Sequence, residues 1–225
     1  MNDPRENKER VINVDSGGPL IIPERIESET KYRFRKHHLD YSKLFCTTVD
    51  ADKNPFGLNT KRCFGRPRMW AQYGDNHQGV CLVFDRKDLE DKILASLDGG
   101  VLWSDEVIYD DGLKEVSAQA ADVEYDLEAN RRVEAVVREQ IEQFKHALFF
   151  RKDSDWSGES EWRYVIRREL EGYERIPFGN SLRAIVIGVD CYQSYMPTLR
   201  SLAEGIPLIQ LEWDTEKEDF YCRET

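Results

Sequence analysis

The chain has 225 residues, of which 40% are hydrophobic and 11% aromatic, enough for one large domain with a buried core and too many for a disordered or collagen-like chain. Its net charge of -11 is uneven: residues 1–68 hold 14 Lys/Arg against 10 Asp/Glu, which leaves 18 against 33 for the rest. The acidic body argues against general adhesion to nucleic acid, which depends on neutralising phosphates, whereas the basic part, with Lys31, Arg33, Arg35, Lys36, Lys61, Arg62, Arg66 and Arg68, has the charge to hold one anionic ligand.

No apolar run approaches the ~20 residues of a membrane helix, so no membrane span is expected. The residues after Met1 show no basic-apolar-small pattern, so no signal sequence is expected there. The five cysteines (Cys46, Cys63, Cys81, Cys191 and Cys222) form no C-x-x-C pair. They read as reduced thiols, mostly in the core, without zinc, and the expected location is the cytoplasm.

In chain order, residues 1–40 are polar and broken by Gly17-Gly18-Pro19 and Pro23, which predicts irregular surface with room for one short helix. Lys43 to Val49 is the first strand, ended by the turn-rich Asp50-Ala51-Asp52-Lys53-Asn54-Pro55. Pro67 opens a short helix that Gly74 stops. Val80 to Phe84 is a continuous apolar run of strand length, the pattern of a central strand covered on both faces. Trp103 to Tyr109 is a further strand. Val116, Ala120, Val123, Leu127, Val137, Ile141, Phe144 and Leu148 then follow steps of three and four, which predicts a long amphipathic helix broken where Asn130 and Glu134 interrupt the stripe. Arg183 to Val189 and Ile206 to Trp213 complete the strands, with Met196 to Ala203 a short helix between them. The mixed order gives an α+β class, a single domain over residues 1–225 with a mixed central sheet.

Two dense motifs carry the chemistry. Lys152-Asp153-Ser154-Asp155-Trp156-Ser157-Gly158 is a polar loop running into the strand Glu159-Ser160-Glu161-Trp162-Arg163-Tyr164-Val165-Ile166. Alternation puts Glu159, Glu161 and Arg163 on one face, read as the wet one, and Trp162, Tyr164 and Ile166 on the apolar one. Two neighbouring carboxylates repel unless a cation or a proton sits between them, which is the chemistry of an acid, base or ribose-binding site; the plain alternative is a solvated strand face. The second motif is Met69-Trp70-Ala71-Gln72-Tyr73-Gly74-Asp75-Asn76-His77-Gln78-Gly79. Trp70 and Tyr73, three apart, make an apolar wall that can stack on a flat ring or belong to the core, and His77 lies in a polar turn rather than a packed position. Glu90-Asp91-Lys92 has a nuclease-like spacing on the wrong element, His37-His38 point apart without a metal-site partner, and no G-x-S-x-G, P-loop or G-x-G-x-x-G occurs.

With Phe150-Arg151-Lys152 and Asp155-Trp156, these motifs resemble in order and spacing the bacterial family called domain of unknown function 2971, a resemblance that runs to about Asp190. Met1-Asn2-Asp3-Pro4-Arg5-Glu6 resembles a segment that family members carry further in, after an aromatic and basic strand, so the sequence reads as a short variant or as starting inside a longer chain. The layout is also similar, more distantly, to DarT-like ADP-ribosyltransferases, in which a strand and short helix wrap the nicotinamide end of NAD and a mobile loop precedes a glutamate at the start of a late strand.

That resemblance implies an enzyme that cleaves the nicotinamide–ribose bond of NAD, its substrate, and passes ADP-ribose to water or to a macromolecular acceptor, protein or nucleic acid, as a toxin or antiphage effector. Glu161 would stabilise the oxocarbenium-like ribose and Glu159 would deprotonate or orient the acceptor. Tyr73 and Trp70 would pack the nicotinamide with His77 beside them, and Lys152 and Arg163 would hold phosphate or the carboxylates, with no metal involved. The alternative is a non-catalytic binding or regulatory module in which Glu161, Arg163 and Lys152 form a structural ion network beneath Trp156 and Trp162.

Overall fold

Proline, glycine and capping carboxylates set most of the element boundaries in the computed structural model, which describes residues 12–18, 20–50, 62–111, 119–126 and 131–224. Strand β1 (Asn13–Asp15) leads past Pro23 into α1 (Glu24–Arg35), whose acidic first turn and basic last turn suit the helix dipole. A π turn follows over Lys36–Asp40, where Tyr41 N–H reaches back to the Lys36 carbonyl at 2.8 Å, and it buries both His37 and His38. β2 is Ser42–Thr48, α2 is Pro67–Tyr73 and β3 is Val80–Phe84. α3 (Arg86–Ser96) is capped by the Asp85 carboxylate, which accepts from Asp88 N–H at 3.0 Å. After β4 (Val101–Glu106), β5 (Ile108–Tyr109) and β6 (Asp122–Glu124) come α4 (Val133–Gln143), α5 (Lys145–Phe149), β7 (Arg151–Lys152) and β8 (Glu161–Arg167). β9 (Leu182–Ile187), α6 (Met196–Ala203), β10 (Leu208–Asp214) and β11 (Asp219–Glu224) close the described chain. The class is α+β.

The chain divides into two units, each drawn from three stretches of sequence. One comprises residues 1–47, 99–157 and 161–174. It holds the sheet β2-β8-β4, the short parallel pairs β1–β6 and β5–β7, and a core in which Phe34 of α1, Val137 and Ile141 of α4, and Phe149 pack with Val123 and Val165. The other comprises residues 48–98, 158–160 and 175–225. Its sheet runs β11-β10-β9-β3, with Ile185 and Ile187 packing on α6 and, from the opposite side of β9, Val186 joining Leu211, Phe220 and Trp70.

Five readings change. The leading forty residues contain a three-turn helix and a buried π turn, because the α1 stripe places Thr30 and Phe34 against a core. The periodic stretch after Tyr109 is not one long helix: Ala120 and Ala121 are buried, but Asp122–Glu124 pairs with β1 as a strand, and helix resumes only at Val133. β3 is the terminal strand of its sheet among the described residues, with Leu82 48% exposed, so its apolar run is not covered on both faces. β11 was not foreseen; the Asp214 carboxylate accepts from Glu216 and Lys217 N–H at 2.9 and 3.1 Å and turns the chain back onto β10. All five thiols are free and Cys191 alone is buried, so the cysteines are not mostly core. Met1–Glu6, Ala51–Pro55, Lys61, Val116, Leu127 and Asn130 lie outside the described residues. No helix among the described residues is long and apolar enough to cross a membrane.

Candidate functional site

In the second unit, α2 begins at Pro67, whose missing N–H is no loss in a first turn. Trp70 points inward, 3% exposed, with its indole N–H donating to the Phe64 carbonyl at 2.6 Å. Tyr73 points outward, 52% exposed, and its hydroxyl donates to Glu159 Oε1 at 2.7 Å. Trp70 and Tyr73 therefore do not form one wall: Trp70 belongs to the core and Tyr73 reaches the second motif. Glu159 is only 3% exposed and ends a 3-10 turn over Ser154–Glu159 rather than starting the strand. Ser160 has φ 44°, a left-handed kink that breaks the alternation assumed from sequence. Glu159 and Glu161 consequently do not sit at i and i+2 of one strand.

Arg66, the residue before Pro67, fixes this corner. Its Nη1 donates to the Glu159 carbonyl at 3.0 Å, the Gly158 carbonyl at 3.3 Å and Thr48 Oγ1 at 3.2 Å, and its Nη2 to the Val49 carbonyl at 2.6 Å. Thr48 Oγ1 in turn donates to the Glu159 carbonyl, and Val49 N–H to the Ser160 carbonyl at 2.9 Å. Sequence reasoning named Arg66 only among the basic residues suited to an anionic ligand; its clamping role was missed because its acceptors are mostly main-chain carbonyls from distant segments, which leave no side-chain signature.

His77 is a packed residue, contrary to the expectation of a loose turn. Its ring stacks on Trp70, with centroids 5.2 Å apart and planes 17° apart, and tilts against Phe220 at 5.6 Å. Asp75, Asn76 and His77 take φ of 48°, 52° and 68°, three successive left-handed residues without a glycine, a conformation costing roughly 1–2 kcal/mol per residue. Main-chain bonds hold it: Asn76 N–H to Trp70 O, Gln78 N–H to Asp75 O, Gly79 N–H to Gly74 O and Asp190 N–H to His77 O, all between 2.9 and 3.1 Å. Two glycines make room, since a Cβ on Gly74 would lie 2.4 Å from the Trp70 ring and one on Gly188 would lie 2.1 Å from the His77 carbonyl oxygen. His77 Nδ1 is buried with no hydrogen-bond partner among the described residues, and burial lowers the imidazole pKa against a smaller opposing pull from Asp190.

Glu161, Arg163 and Lys152 meet in the first unit. Arg163 grips Glu161 with two bonds, Nε to Oε1 at 2.6 Å and Nη2 to Oε2 at 3.0 Å, while its Nη1 donates to the Phe149 carbonyl at 2.6 Å. Lys152 Nζ stands 3.4 Å from Glu161 Oε2 and 4.9 Å from the centre of the Trp156 ring. Glu161 N–H donates to the Tyr109 hydroxyl at 2.8 Å. All three charged residues are buried, Glu161 at 5% exposure, and Tyr164 and Ile166 on the opposite face are buried as well, so the face read as wet is enclosed and β8 is covered on both sides, with Trp162 half-buried. Burial alone would raise the Glu161 carboxyl, but the Arg163 bonds and charge hold it below its usual range. Lys152 and Arg163 thus bind a carboxylate of the chain itself.

Among the described residues His37, Glu134 and Glu169 bring three ligand-type atoms together. Their hydrogen bonds describe an ion cluster instead. Arg167 Nη2 lies 3.1 Å from His37 Nδ1, and a guanidinium only donates, so Nδ1 is bare and Nε2 carries the hydrogen given to Glu134 Oε1 at 2.6 Å. Arg138 bonds both Glu134, at 2.8 Å, and Glu169, and Arg33 Nη1 lies 3.2 Å from Glu134 Oε2. A metal on Nε2 would need the other tautomer, which Arg167 opposes.

Residues 69–164 match a family model described as Protein of unknown function (DUF2971). Over that span the chain is similar to this family. The matched segment runs from α2 to β8 and so contains Tyr73, Glu159 and Glu161, but the family's description carries no activity. No curated protein and no solved structure matches the chain.

Proposed function

We propose that the protein is an ADP-ribosyltransferase-like enzyme acting on NAD in the bacterial cytoplasm, as a toxin or antiphage effector, with Glu159 rather than Glu161 as its reacting carboxylate. The observation that supports this is the 2.7 Å bond between Tyr73 and Glu159, from a half-exposed tyrosine to a buried glutamate, joining two motifs 86 residues apart. Glu161 is unsuited to the role first expected of it, because Arg163 occupies both its oxygens. In the proposed reaction the bond from ribose C1′ to the nicotinamide nitrogen breaks, and its electron pair leaves with nicotinamide. The acceptor oxygen or nitrogen, from water or a macromolecule, bonds to C1′, and its proton passes to Glu159. Tyr73 positions that carboxylate and turns aside to admit substrate.

A second reading, a non-catalytic binding or regulatory module, is favoured by the burial of both carboxylates, since an active carboxylate needs a water-accessible pocket. NAD consumption, NAD affinity and melting temperature of the wild type, Glu159→Gln and Glu161→Gln separate the two. The transferase reading expects Glu159→Gln to keep its fold and NAD affinity while turnover falls by ~10²-fold or more. It expects Glu161→Gln to lose about 3–5 kcal/mol of stability because buried Arg163 and Lys152 both lose the negative charge they face. A wild type that neither binds nor consumes NAD would leave the module reading standing.

A further inference from the structure

We propose that Tyr73 is a nucleophile in its own right, a tyrosine activated by Glu159 and a site at which the protein modifies itself. The bond between the two side chains already has the form of such a step, with the phenolic oxygen as donor and the carboxylate as acceptor, 2.7 Å apart. A phenol with a pKa of about 10 is almost wholly protonated at neutral pH, so an ordinary tyrosine reacts through a trace of phenolate. A carboxylate in hydrogen-bond contact removes that limit. The phenolic proton becomes far more acidic as the oxygen forms its new bond, and it can pass to the carboxylate during the attack.

Burial and anchoring set this pair apart from a chance surface contact. Glu159 is 3% exposed and its carbonyl is clamped by Arg66 and Thr48, whereas Tyr73 stands 52% exposed on α2. The base is fixed, and the residue bearing the nucleophile faces solvent. Tyr221 supplies the contrast: its hydroxyl also donates to a carboxylate, but Glu212 lies on an exposed strand face, is paired with Arg223 at 2.6 Å and is open to water.

The choice of ADP-ribose as the group transferred rests on the NAD reading above; the activation of Tyr73 does not. In that step Tyr73 Oη bonds to ribose C1′, and the bond from C1′ to the nicotinamide nitrogen breaks with its electron pair leaving on nicotinamide. The phenolic proton passes to Glu159 and on to water. Tyr73 must turn aside before an outside acceptor can reach Glu159, and until it does its own oxygen is the acceptor at hand. Modification leaves ADP-ribose beside the base and silences the site.

The test treats the full chain with a small aryl sulfonyl fluoride, whose sulfur bonds to the phenolic oxygen as fluoride leaves, and scores each tyrosine by peptide mass spectrometry. Labelling through phenolate rises about ten-fold per pH unit, the course expected at the exposed controls Tyr173 and Tyr221. Tyr73 should label at least about 10²-fold faster than Tyr173 at neutral pH, the scale of a positioned general base, and stay nearly flat with pH because it does not draw on phenolate. Glu159→Gln, its fold checked by melting temperature, should lose this lead; if it does not fold, the pH profile of the wild type decides. Labelling of Tyr73 that matches Tyr173 in rate, or climbs with pH in step with it, would overturn the proposal, as would a lead kept by folded Glu159→Gln. NAD is then added in place of the probe. A mass gain of one ADP-ribose on the Tyr73 peptide, absent from Tyr73→Phe, supports self-modification. NAD consumed while Tyr73 stays unmodified overturns self-modification and leaves the transferase reading in place. A fast-labelling Tyr73 in a protein that neither binds nor consumes NAD sinks the transferase reading, and ADP-ribose with it, and leaves the activated tyrosine standing.

Discussion

The pairing of Glu161 with Arg163 shows how a strand can bury charge: residues two apart share a face, and a guanidinium fork satisfies both carboxylate oxygens at once. Arg163→Met should take both fork hydrogen bonds from buried Glu161, leaving it Lys152 at 3.4 Å, and lower stability by about 3–5 kcal/mol, read from chemical denaturation. Trp162→Ala, on the half-buried face, should cost clearly less than Tyr164→Ala on the same side of the strand, because Tyr164 is enclosed. The alternation along β8 and the burial of Tyr164 and Ile166 were legible in the sequence, but the burial of the charged face was not, since a self-neutralising Glu–Arg pair looks the same as a solvated one. His37 gives a pH dependence. Burial, reinforced by Arg167 and Arg138 and opposed by Glu134, lowers its pKa below the usual 6.5, so the unfolded chain takes up its proton first as pH falls. The stabilisation is complete above pH 6.5 and is lost as pH drops towards the folded value. Glu161, held low, adds the same sign further into the acid range. Melting temperature should fall with acidification, and His37→Gln, which does not titrate, should flatten the fall just below 6.5.

Among the elements, the α2 helix and the left-handed turn after it depend on space made elsewhere. Gly188→Ala should destabilise by about 1–3 kcal/mol, since its Cβ would meet backbone that cannot yield, while Gly18→Ala, with open space around it, should be neutral in the same thermal melts. Proline, glycine and apolar runs made α2, β2, β3, β9, α6 and β10 readable within a residue or two. Two kinds of element escaped. The stripe after Tyr109 fitted a helix, yet tertiary pairing with β1 drew Asp122–Glu124 into a strand. β11 was missed because Asp219–Glu224 clusters Phe220, Tyr221 and Cys222 between charged residues without a clear alternation, and its pairing is set by the Asp214 turn. The Tyr73–Glu159 pair was foreseeable from two dense motifs, and the Arg66 clamp on the same corner was not.

At the scale of the whole molecule the chain passes from one unit to the other five times, and Gly158–Ser160 is a three-residue stretch of the second unit set between two stretches of the first. Each unit takes strands from separate stretches of the chain: β2 lies beside β8, and β3 beside β9. Neither sheet can form from the segment of chain that starts it, so folding must wait for distant partners. The terminal position of β3 among the described residues has a consequence for behaviour in concentrated solution. From Val80 to Phe84 it carries no lysine, glutamate or proline, the residues that usually discourage an end strand from recruiting another, and Leu82 is half in water. The protein should therefore self-associate as its concentration rises, and Leu82→Lys should suppress that association without lowering the melting temperature, as light scattering beside calorimetry would show.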